Sequence, residues 1–196
     1  MEHEAGAKNC WAPEITYDRE NEQYMIYWST TIPGRFPETD SSSEDANNHR
    51  IYYVTTPDFK NFSETKLLYD KGFNVIDASI YSDNGKYFML LKNENLNPPE
   101  KNIRIAYSKY ATGPFSESTE PITGNYWAEG PTALQVQDYW LVFFDKYMEG
   151  SFGAIRSKDL VQWEDISDQV SFPDGIRHGT AFGVSKEIFD QLLSLE

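Results

Sequence analysis

Three carboxylates occupy similar settings along this chain: Glu14 in "CWAPEITYD", Asp77 in "NVIDASIYSD" and Glu129 in "YWAEGPTAL". Each comes just ahead of a run of strand-forming residues. Acids that share a site repel one another when ionised, which raises at least one pKa and helps to create a general acid. Hydrolysis of a glycosidic bond uses such a set: one carboxyl protonates the leaving oxygen and another activates water or attacks. Taken singly, each acid is also accounted for as a turn cap or a partner of a backbone N–H.

Other side chains join the acids. "RHGT" puts His178 in a corresponding place, as a buried hydrogen-bonded imidazole or as a channel ligand for an ion or sugar. Arg177, beside it, is positioned to pair with a channel acid. Trp11, Tyr126 and Trp127 lie within three residues of an acid, and such rings stack on the apolar faces of sugars, although aromatics also fill cores. His49 and His3 sit in less telling contexts.

Strands must carry these groups. "YMIYWST", "RIYYVTT", "KYFMLLK", "IRIAYSK" and "YWLVFFD" are rich in Tyr, Phe, Val and Ile and are bounded by Gly, Pro, Asn and Asp, the composition of strands. Asn84-Gly85 between two such runs signals a two-residue hairpin. Helical periodicity arises only at the end, where Ile188, Phe189, Leu192 and Leu193 share a face after Ser185, a natural N-cap.

The strands repeat. Units over about 11–62, 72–115 and 124–165 each carry an acid, a first strand, a turn, an aromatic second strand and a third strand closing on an aromatic: Phe62, Phe115 and Trp163. A partial unit covers about 170–184, and a helix about 185–194. A period near 50 residues with three or four strands per unit is that of a β-propeller, in which first strands line a central channel. A β-sandwich shares the short strands but gives no reason for an acid at one place in every unit. The expectation is one all-β domain over 1–196, of about three blades plus the first strand of another, although a propeller closes with about four to eight.

Composition narrows the partners. A net charge of −14, from 31 acids and 17 bases in 196 residues, argues against nucleic acid, whose phosphates call for Lys and Arg. No apolar run is long enough to cross a membrane as a helix. "MEHEAGAKN" lacks the basic and apolar regions of a signal peptide. Cys10 is alone, so no disulfide forms within the chain. The polar insert "PETDSSSEDANN" lacks the glycine and closing Glu of a calcium loop and is expected to be a mobile loop over the channel. Phosphate-binding glycine loops, zinc spacings and nucleophile elbows are absent.

In their order and spacing, "CWAPEITYD", "NVIDASIYSDNGKYF", "YWAEGPTAL" and "RHGTAF" resemble glycoside hydrolase family 43, five-bladed propellers that include arabinofuranosidases, xylosidases and galactan hydrolases. The resemblance implies an inverting hydrolase acting on arabinose-, xylose- or galactose-containing oligosaccharides or polysaccharides, with a secreted or periplasmic location. Glu129 would be the general acid and Asp77 the carboxylate that tunes it. Glu14, Trp11, Tyr126, Trp127, Arg177 and His178 would shape the sugar pocket. The resemblance implies no required cofactor, and His178 in such a channel can help bind a calcium ion or water cluster. The family's general base is an Asp on the first strand of its first blade, and nothing upstream of Trp11 supplies it. Expected in consequence are a chain lacking that blade, impaired catalysis and self-association through exposed blade edges. A non-catalytic carbohydrate-binding or protein-interaction propeller fragment is the alternative.

Overall fold

The computed structural model describes residues 4, 6–43, 46–173 and 175–194. His3 lies outside the described residues. Eleven described strands form three antiparallel sheets. Sheet 1 comprises β1 (Trp11–Asp18), β2 (Gln23–Thr31), β3 (His49–Thr56) and β4 (Lys66–Tyr69). Sheet 2 comprises β5 (Val75–Asp83), β6 (Lys86–Asn93) and β7 (Asn102–Ser108). Sheet 3 comprises β8 (Glu129–Val136), β9 (Tyr139–Lys146), β10 (Ser151–Ser157) and β11 (Glu164–Asp165). The first strands gather, β1 beside β5 and β5 beside β8.

The apolar run in β6 reflects burial on both faces. Tyr87, Met89 and Leu91 face sheet 1, where they meet Met25, Tyr27 and Ile51. Phe88 and Leu90 face sheet 3, where they meet Trp140, Val142 and Phe144. Each such fully buried side chain contributes roughly 1.5–3 kcal/mol. Asn84 and Gly85, at φ 47° and 75°, make the β5–β6 turn, as the Asn-Gly pair predicts. Among the described residues sheet 2 has no fourth strand. Its edge is instead met at intervals by the N–H groups of Ser116, Thr119 and Ile122, bonded to the carbonyls of Tyr107, Ile105 and Ile103.

Two expectations are corrected here. Among the described residues of 170–184 no strand forms; Phe172 packs on Phe143 and Phe152, and the Ala181 N–H donates to Thr132 Oγ1 at 2.8 Å without any ladder. The described part of the 37–48 insert is anchored: its 3-10 turn, Pro37–Ser42, is tied down by the fully buried Arg50, which donates to Thr39, Asn48 and Asp70 and lies 4.3 Å from the Phe36 ring. The terminal helix α1 (Lys186–Leu193) begins where expected, with the Ser185 hydroxyl accepting from the Ile188 N–H. Its apolar face, Ile188, Phe189, Leu192 and Leu193, is exposed.

Candidate functional site

One irregularity recurs in all three first strands. Trp11 pairs with Ser29 and Glu14 with Tyr27; Ile76 pairs with Lys92 and Ser79 with Leu90; Glu129 pairs with Asp145 and Thr132 with Phe143. In each case two residues face one, a β-bulge, which bends the strand and re-aims its side chains. The second residue of each bulged stretch has positive φ: Ala12 at 44°, Asp77 at 53° and Gly130 at 57°. His178, at 40° in the unpaired segment, has the same twist.

The bulges correct the expected register. Ala12, Asp77 and Gly130 are the structural equivalents, while Glu129 stands one residue before that point and Glu14 two residues after it. The acids converge from staggered positions. Asp77 is buried and its Oδ2 accepts from the Gly130 N–H at 3.0 Å. Ligand atoms of Asp77, Glu129 and His178 all lie within 4.8 Å of one another. A cleft of about 280 Å³ opens beside them, lined by Glu14, Asp77, Gly130, His178 and Thr180 among others. There the Thr180 hydroxyl donates to Glu14 Oε1 at 2.7 Å. A Cβ on Gly130 would lie 2.9 Å from the His178 ring, so only glycine lets the imidazole rest there.

Glu129 is clamped. Lys92 Nζ donates to Oε2 at 2.9 Å, while Arg177 Nη2 and His178 Nε2 reach Oε1 at 2.9 and 3.1 Å. Burial pushes its pKa up, but the His178 bond and the charge and bond of Lys92 outweigh this and hold it at about 2. The group expected to keep the proton is therefore held ionised. Burial instead raises Asp77, against the lowering charges of Lys92 and His178. His178 is raised, first through its bond to Glu129. Directly across the ladder from Glu129 stands Asp145, a like charge that would destabilise the pair alone. Arg177 offsets this by bonding both carboxylates.

Lys92, Glu94, Lys101 and Asp145 complete the charge network, and none was foreseen as a site residue. Lys92 is buried on β6 and bonds Glu94 at 2.6 Å as well as Glu129. Burial alone would lower its pKa, yet the charges of Glu94, Glu129 and Asp77 raise it above the usual range. Its signal in the sequence was a lysine inside the apolar strand "KYFMLLKN", a place where an unpaired ammonium is costly. Asp145 at the end of "YWLVFFD" carries the same signal.

The aromatics divide. Trp11 and Trp127 line a second cavity and neither borders the cleft. Tyr126 turns away: it stacks on Phe144 at 6.0 Å, lies under Lys146 and points its hydroxyl at Asp165, so packing accounts for it. His49 stacks on Trp11 at 4.6 Å between Asn9 and Asn74, a pattern that fits the neutral ring protonated on Nδ1. A directly bound calcium ion is poorly served by Asp77, Glu129 and His178, because it takes six to eight oxygen ligands and Lys92 already neutralises Glu129. Among the described residues no helix is long and apolar enough to cross a membrane.

A sequence profile related to glycoside hydrolase family 43, described as "probable glycosyl hydrolase domain", matches residues 2–190. An α-L-arabinofuranosidase of Bifidobacterium longum subsp. longum is 28% identical over 127 residues, 58% of this chain and 12% of its own length. Two solved structures show the same fold at low identity. A glycoside hydrolase family 43 protein of Bacillus licheniformis is 21% identical, with a TM-score of 0.58 over 80% of this chain and 29% of that one. An α-L-arabinofuranosidase of Lactobacillus brevis is 17% identical, with a TM-score of 0.59 over 84% of this chain and 57% of that one. The chain therefore spans less than two thirds of each of these relatives.

Proposed function

We propose, for a chain that belongs to the family 43-related glycosyl hydrolases, that the Asp77–Glu129–His178 cleft is the acid half of an inverting site for arabinose-, xylose- or galactose-containing glycans. The observation that carries the reading is the convergence of these three groups beside a cleft, each from its own strand or segment. In the proposed roles Glu129 donates the proton to the leaving oxygen once a sugar displaces part of its clamp, and Asp77 tunes it. His178 and Arg177 orient the acid, and Glu14 with Thr180 binds sugar hydroxyls. An inverting enzyme also needs a carboxylate roughly 6.5–9.5 Å from the acid to activate water. We assign that base to no residue described here, and turnover by this chain alone is accordingly impaired.

The three sheets are, on this reading, three blades of a five-bladed propeller, with units over about 11–62, 72–115 and 124–165 and residues 170–184 belonging to another. Supporting it, Ile15 and Tyr17 are exposed on the face of β1 opposite Glu14 and Thr16, an apolar surface suited to a neighbouring blade or a second molecule. The ionised, clamped state of Glu129 favours a second reading, a carbohydrate-binding module without chemistry. Hydrolysis of aryl arabinofuranosides, xylosides and galactosides, measured beside calorimetric binding of the matching oligosaccharides, separates the two. Slow turnover abolished by Glu129→Gln supports the hydrolase, and binding with no turnover supports the module.

A further inference from the structure

Two carboxylate oxygens close to Glu129 are buried and accept no hydrogen bond from the described residues: Glu94 Oε2 and Asp145 Oδ1. A charged oxygen left in that state is costly. Each belongs to a carboxylate that already shares a cation with Glu129. Lys92 Nζ donates to Glu129 Oε2 at 2.9 Å and lies 2.6 Å from Glu94 Oε2, close enough for an ion pair but not aligned as a hydrogen bond. Arg177 gives Nη2 to Glu129 Oε1 at 2.9 Å and Nε to Asp145 Oδ2, which leaves Oδ1 open. Glu94 is fixed from its other side, where Lys101 donates to Oε1 at 2.5 Å. Asp145 is fixed by its place on β9 opposite Glu129.

Glu129 can hold both cations only as a carboxylate. A proton turns one of its oxygens into a donor, and neither an ammonium nor a guanidinium can accept a hydrogen bond. We propose that Glu94 and Asp145 are positioning residues, which take Lys92 and Arg177 from Glu129 when its carboxyl is neutral and return them when it is charged. The proposal rests on the hydrolase reading above and says where the clamp goes when the acid carries its proton. A proton taken from solvent onto Oε2 meets Lys92 donor to donor, and a small turn of Nζ aligns it on Glu94 Oε2. A proton on Oε1 does the same to Arg177, whose fork then bonds both oxygens of Asp145, the paired geometry that suits a guanidinium. The charged groups facing Glu129 are Asp77 from β5, Lys92 from β6, Asp145 from β9, and Arg177 and His178 from the unpaired segment. Of the cations, Lys92 and Arg177 each touch a second carboxylate. Once the proton has passed to the leaving oxygen, the new carboxylate draws both of them back.

The crystal structure of Glu129→Gln tests the shift without any need for turnover, because an amide, like a protonated carboxyl, has a donor at one end and an acceptor at the other. The cation that meets the amide nitrogen is expected to have moved wholly to its second partner, Lys92 aligned on Glu94 Oε2 or Arg177 forked on Asp145. Both cations still bonded to the side chain at 129, or a displaced cation turned out to solvent, would overturn the proposal. In aryl-glycoside hydrolysis, Glu94→Gln and Asp145→Asn should each lower kcat at least about tenfold with KM changed less than about twofold. Both should also move the pH optimum down, since Glu129 then keeps its cation more tightly. Lys101→Met leaves Glu94 with a stronger pull on Lys92 and should move the optimum up. Lower stability with an unmoved optimum in all three variants would make the network purely structural and overturn the proposal. Absence of turnover in the wild type would refute the hydrolase reading, and the Glu129→Gln structure would still decide the shift.

Discussion

Replacing Lys92 by methionine removes the ammonium that lies between Glu94 and Glu129 while keeping an apolar stem on β6. The gap between the ordinary glutamate value of 4.5 and about 2 corresponds to about 3 kcal/mol in favour of the carboxylate, at about 1.36 kcal/mol per pH unit. Partial exposure to solvent brings this nearer to about 2 kcal/mol. His178 and Lys92 provide most of it against the burial of the group, so without Lys92 the midpoint should rise by roughly one pH unit or more. Breaking a buried pair costs about 3–5 kcal/mol. Here Glu94 retains Lys101, and Glu129 retains Arg177 and His178, which puts the loss near 2–3 kcal/mol. For a chain of this size that is a fall in Tm of roughly 5–10 °C. Carboxyl-detected NMR titration of Glu129, beside thermal unfolding, measures both. A folded Lys92→Met protein whose Glu129 still titrates at about 2 would refute the role given to Lys92.

Gly130→Ala should destabilise by more than about 1 kcal/mol, because the residue combines positive φ with a Cβ pressed into the His178 ring; urea unfolding and the His178 resonances report it. Asp77 binds its proton more tightly in the fold than when unfolded, so the wild type loses stability as pH rises from about 3.8 through the raised value. Asp77→Asn should therefore gain on the wild type over that window, as judged by urea midpoints. His49 is lowered to about 4, so the fold loses up to about 3 kcal/mol as pH falls from 6.5 to about 4, and His49→Gln should be visibly less acid-sensitive across that span. Glu129 adds its own loss lower, as pH falls from about 4.5 towards 2, whereas the protonated His178 stabilises below 6.5 and loses its effect as pH rises through its raised value.

Strand composition and turn chemistry made the sheets legible: runs such as "KYFMLLK" had the residues of a strand, and Asn84-Gly85 had to turn. The fourth strand of sheet 1 was missed because "KLLY" is short and its apolar residues carry no alternation. Motifs brought Asp77, Glu129 and His178 to one place, but not their register, because a bulge leaves no mark in spacing when one unit meets it with Ala12, another with Asp77 and a third with Gly130. The protonation order was illegible for a related reason. Counting acids predicts repulsion, whereas His178 and Lys92, one in an unpaired segment and one inside an apolar strand, decide which acid is relieved of it.

The most direct test of the account is hydrolysis of 4-nitrophenyl α-L-arabinofuranoside, β-D-xyloside and β-D-galactoside by the purified chain and its Glu129→Gln variant. The account predicts turnover of at least one substrate that is slow and falls to background in the variant. Turnover that survives Glu129→Gln, or fast turnover of the kind a complete acid–base pair would give, would contradict it.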